Sequence, residues 1–111
     1  MTRFCLKDLV KEITLCTSLL SKARGLMFTK KRDRALVFIY GTDAKRSLHM
    51  FFVFYPIDVL FLDKEKKVVE IRENFRPSTM YMPKHSSRYI IEMPAAKVQE
   101  HKIKVNDTAL F

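Results

Sequence analysis

The stretch HMFFVFYPIDVLFLD, residues 49–63, constrains the fold more than any other part of this chain. It is almost wholly apolar, yet it holds His49, Pro56 and Asp58. A helix crossing a bilayer needs about 20 apolar residues, and a carboxylate at its centre is costly in lipid. No transmembrane segment is therefore expected. Pro56 would break a buried helix. The run of Phe, Val, Ile, Tyr and Leu favours extended backbone instead. The reading is two strands, about 47–54 and 57–63, with a bend or bulge at Tyr55–Pro56. Apolar groups on both faces place them centrally in a closed or doubly covered sheet.

The rest of the chain reads as short strands. Residues 2–6 and 9–16 are strands, then TSLLSKARGLMF is a short helix capped by Thr17 or Ser18 and ended by Gly25. Strands follow at 35–40, 68–73 and 88–94, with an irregular, proline-containing loop at 74–87. Residues 95–103 form one helical turn or a loop, and DTALF closes the chain as a last strand. Many short strands with little helical periodicity imply a mainly antiparallel β barrel or sandwich.

With 111 residues the chain suits one domain. Its formal net charge is +9. Eight basic residues lie between Lys22 and Arg46, against Asp33 and Asp43. Such a field attracts nucleic acid, anionic lipid or an acidic partner, although a well-solvated surface is the simpler reading. The N-terminal residues lack the apolar core of a secretory signal. If Lys7–Asp8 were a two-residue hairpin turn, Cys5 would face Val10 and no Cys5–Cys16 bridge would form. Both cysteines read as reduced thiols in a cytoplasmic protein.

Taken in order, RGLMF (24–28), ALVFIY, HMFFVFYPIDVLFLD, KKVVEI, YIIEMPAA (89–96) and Asp107 before the last strand form a set. This set resembles the domain of unknown function 192 family, from about residue 3 to the C-terminal end. The resemblance implies a compact, mainly antiparallel β barrel with a short helix near RGLMF, and no established activity. Two positions depart from the family pattern. Ala96 stands where the family has Gly, and Asn106 stands where it has Gly before Asp107. Asn tolerates a left-handed turn; Ala does so poorly. The polar positions that the pattern highlights are Arg24, Asp58, Glu92 and Asp107.

Asp58, inside an apolar strand, must be hydrogen-bonded or paired. Backbone N–H groups or Arg24 would satisfy it structurally; a shallow cleft would make it a site carboxylate. Arg24 either satisfies carbonyls at a helix end or a carboxylate of the fold, or clamps an anionic ligand. The loop 76–88 joins Met80, Tyr81 and Met82 to Arg76, Lys84 and Arg88, and loops on a rigid β scaffold often bind. It reads otherwise as a packed loop closing one barrel end. His49, His85, His101 and the cysteines lack zinc spacing, and the methionines read as core filler rather than Cu(I) ligands. No metal or cofactor is expected. No nucleophile–base order or Gly-rich phosphate loop is present, which leans against an enzyme.

The expectation is thus a non-enzymatic binding module for an anionic or small ligand, a monomer or weak dimer. Its candidate residues are Arg24, Asp58, Arg76, Tyr81, Lys84 and Arg88. The alternative is a small basic nucleic-acid-binding barrel using Lys30, Lys31, Arg32, Arg34, Lys45 and Arg46, although its aromatics sit in apolar runs that read as buried. An enzyme of unknown type is the third reading.

Overall fold

A computed structural model describes residues 2–18, 25–27, 29–50 and 52–111. The strand Ile57–Leu62 (β5) organises it. All six of its residues are buried. It pairs antiparallel with Ser87–Pro94 (β8) on one side and with Val68–Phe75 (β6) on the other. The eleven-residue strand Arg34–Ala44 (β3) lies beyond β8, and Glu12–Cys16 (β2) forms the far edge. The order β2-β3-β8-β5-β6 puts the most apolar strand inside the sheet, as the double-sided apolar pattern requires.

Alternation along these strands feeds two separate cores. Leu60, Leu62, Ile91, Met93 and Val37 point to one face. There they meet Leu6, Leu9 and Val10, Val98 of the short helix Lys97–Glu100 (α1), and Ala109 of Thr108–Leu110 (β9). Val59, Phe61, Ile90, Leu36 and Phe38 point to the other face. That face is covered by Leu26, Met50 and Val53. Fully burying one such side chain contributes roughly 1.5–3 kcal/mol.

Two ribbons complete the architecture. Arg3–Cys5 (β1) pairs parallel with β9. The N–H of Val68 donates to Asp107 O at 2.8 Å, tying that ribbon to the start of β6. Leu48–His49 (β4) pairs with Met80–Tyr81 (β7), and Met50 N–H donates to Thr79 O at 2.8 Å. This second ribbon lies over the second core.

Several expectations change. Among the described residues the fold is mainly β with one short helix, but the sheet is open, with β2 and β6 as its edges, so no closed barrel forms. Two pairings, β2–β3 and β1–β9, are parallel. There is no hairpin at Lys7–Asp8: Leu6–Asp8 is a 3-10 turn that sends β1 and β2 to different partners. Cys5 and Cys16 are not joined by a disulfide.

Residues 47–54 are not one strand. Pairing stops at His49, Phe52 takes φ 61°, and β5 starts after Pro56. As a result Phe52 and Phe54 are 52% and 69% exposed rather than buried. Most of the helix expected at 17–28 lies outside the described residues; residues 25–27 form a turn. β3 runs to Ala44, beyond the strand expected at 35–40, and the 74–87 loop contains β7. Ala96 and Asn106 both adopt left-handed backbone, φ 76° and 81°.

Candidate functional site

The strand RYIIEMP sends Tyr89, Ile91 and Met93 to the first core and Ile90 and Glu92 to the second. Glu92 is therefore an acid placed where an apolar residue would pack. Leu36 of β3 and Val59 of β5 flank it in register, and it is only 7% exposed. No described residue donates a hydrogen bond to its carboxyl. Burial alone pushes this carboxyl up to about 7.

Above Glu92 the surface opens into a cleft of about 170 Å³. Its apolar wall comprises Leu26, Phe38, Leu48, Met50 and Val53. Tyr40, Ser47 and His49 bring polar atoms to it. Gly25 forms part of the ceiling in left-handed backbone, φ 49°. A methyl group there would stand 3.8 Å from Glu92 Oε1, so the glycine is required by its backbone angle rather than by crowding. The Arg46 guanidinium lies 3.8 Å from the Tyr40 ring centre and donates to the carbonyls of Ser87 and Thr42 at 2.7 and 2.8 Å. Burial pushes the Tyr40 hydroxyl up; the Arg46 charge opposes this, and Glu92 and Cys16 reinforce it.

Among the described residues the sequence-derived candidates are divided between the two faces of the sheet and the 76–88 loop. Arg24 lies outside the described residues. Asp58 faces the opposite side of the sheet, where it accepts from the N–H of Asn74 at 3.0 Å and of Val98 at 2.9 Å. Tyr81 donates to Glu70 and packs against Phe61 and Phe75. Glu70, itself buried, also accepts from the backbone N–H groups of Lys84 and His85 at 2.9 Å. Burial pushes the Glu70 carboxyl up, but these bonds and that to the His85 ring outweigh it and leave it below its ordinary value. Arg88 pairs with Asp43 at 2.9 Å. Arg76 and the Lys84 side chain lie exposed on the loop.

The basic residues divide likewise. Arg34 and Ala44 mark opposite ends of β3, which bulges between Ile39 and Ala44. Lys30, Lys31, Arg32 and Arg34 are thereby separated from Lys45 and Arg46. Arg32 is paired with Glu12. Among the described residues no group of three His, Cys, Asp or Glu side chains is placed to hold a metal ion, and no helix is long and apolar enough to cross a membrane.

The sequence pattern highlighted Glu92 without assigning it a role, and Tyr40 and His49 were not joined to it. One signal was available: in RYIIEMP both faces of the strand are apolar, so a glutamate on either is out of place.

The family model for DUF192, described as "Uncharacterized ACR", matches residues 5–111. The chain belongs to the DUF192 family. A UPF0127 protein of Pyrococcus horikoshii is 39% identical over 98 residues, covering 86% of this chain and 84% of its own length. One from Thermococcus sibiricus is 35% identical over 97 residues, again 86% of this chain, and the chain spans only 62% of that relative. The DUF192 chain also shares its fold with a crystal structure from Novosphingobium aromaticivorans, a protein of unknown function. The TM-score is 0.78 at 19% identity, with 85% of this chain and 70% of the other covered. A Sinorhizobium meliloti protein gives a TM-score of 0.80 at 20% identity, covering 85% and 76%.

Proposed function

We propose that this DUF192 member is a non-enzymatic binding module that takes a small ligand in the cleft over Glu92. One observation carries the reading. Glu92 is only 7% exposed, its carboxyl opens into a cleft with apolar walls, and no described residue donates to it. Pockets that combine apolar walls with a few convergent polar groups are the usual form of a small-molecule site. The loop 76–88 offers less, because Tyr81 and Arg88 are already engaged and the loop is fastened to Glu70.

An amide-resolved NMR titration with a library of small fragments tests the reading. Saturable shifts are expected at Tyr40, His49, Met50 and Val53, reduced in Glu92→Gln. Shifts confined to 76–88, or to Lys30–Arg34, would contradict it and favour the loop or the basic segment instead.

A further inference from the structure

The geometry points to a cationic ligand: we propose that the Glu92 cleft receives a small organic ammonium, a primary amine on a short apolar or aromatic stem. The proposal rests on the reading of the cleft as a binding site and names what enters it.

Three features select this class. First, Glu92 presents acceptor oxygens at the bottom of a cleft with no described Lys or Arg against them. An ionised carboxylate in that position requires a counter-charge and donors, and an ammonium supplies one charge and three N–H groups. The nearby guanidinium of Arg46 is held instead by backbone carbonyls and the Tyr40 ring.

Second, the walls suit what surrounds the ammonium. Phe38 and Tyr40 line the cleft with aromatic surface, one face of the Tyr40 ring being taken by Arg46, and Met27 and Met50 offer adaptable apolar contact. Third, the volume of about 170 Å³ limits the guest. A dry cavity of about 150 Å³ holds benzene, so this one takes a group of about that size. A carboxylate guest would meet Glu92 as a like charge. A neutral apolar guest would leave the acid without a partner.

Affinity should follow the ionisation of Glu92. Tyr40 faces it from β3, with Arg46 against that ring and Cys16 nearby on β2, and His49 faces the cleft from β4. Leu36 and Val59 flank it with no charge. Loss of the Glu92 proton near 7 implies affinity about tenfold higher at pH 8 than at pH 6.

The test titrates the labelled chain with benzylammonium, benzyl alcohol and benzoate at pH 6 and pH 8. The expected result is that benzylammonium shifts the amides of Tyr40, Met50 and Val53 and binds about tenfold more tightly at pH 8. That difference should persist in His49→Gln and vanish, with the binding, in Glu92→Gln. Benzyl alcohol or benzoate binding there as tightly overturns the cationic class and leaves the cleft reading standing. Silence of the cleft amides toward all three overturns both. If Glu92→Gln alters the spectrum of the whole fold, the comparison of the three probes on the unmodified chain decides.

Discussion

Two buried carboxylates, Asp58 and Glu92, sit next to each other across the central pair of strands and have opposite fates. Glu92 is in register with Val59 and Asp58 with Met93, so their side chains leave the sheet on opposite faces. Asp58 is 1% exposed and accepts two backbone N–H groups. One comes from Asn74, where β6 bulges: Ile57 pairs with Phe75 but Val59 pairs with Arg72. The other comes from Val98 at the start of α1. Glu92 has no such donors among the described residues and opens to a cleft. Burial therefore does not distinguish these two acids in this fold. The supply of donors does.

The largest effect is expected at Asp58. Asp58→Ala leaves the Asn74 and Val98 N–H groups buried without acceptors and should cost roughly 3 kcal/mol or more in urea unfolding. Asp58→Asn should cost less, since one carbonyl oxygen remains. A near-neutral Asp58→Ala would remove the contrast between the two acids.

Glu92 should behave in the opposite sense. Its carboxyl is raised from 4.5 to about 7, so the folded state holds a proton that the unfolded chain releases. That contribution is fully present below 4.5 and is lost as pH rises through about 7. Glu92→Gln removes the penalty. Its stability advantage should grow from near zero in acid to about 3 kcal/mol at pH 8, read from urea midpoints at several pH values. A constant difference across pH would break the account.

Glu70 offers a third point of comparison, an acid whose hydrogen bonds outweigh its burial. Its contribution is present above its ordinary carboxylate value and lost as pH falls through its lower folded value. Glu70→Gln should cost about 2 kcal/mol and speed hydrogen exchange at Lys84 and His85.

The smallest effect belongs to Ala96, which leads into α1 with φ 76°. Ala96→Gly relieves a left-handed alanine and should add about 1 kcal/mol, read as a rise in Tm.

The central strand was legible because its residues carry apolar side chains to both faces, and only an inner strand buries both. The pairings β1–β9 and β2–β3 were not, since a parallel partner lies far along the chain and leaves no local turn signal. Residues 47–54 misled for another reason. Hydropathy marks Phe52 and Phe54 as buried, but the left-handed turn at Phe52 and the early end of β4 leave both exposed. Asp58 was recognisable as an acid needing backbone donors, but not which donors, because they come from a bulge and a helix start elsewhere in the sequence. Glu92 differs from it in that no described segment on its own face donates to it.

The most direct measurement is a carbon-detected NMR titration of the Glu92 carboxyl in the folded protein. A midpoint near 7 is expected. A midpoint at the ordinary glutamate value, 4.5, would mean that solvent or an unrecognised donor already satisfies this acid, and the contrast with Asp58 would fail.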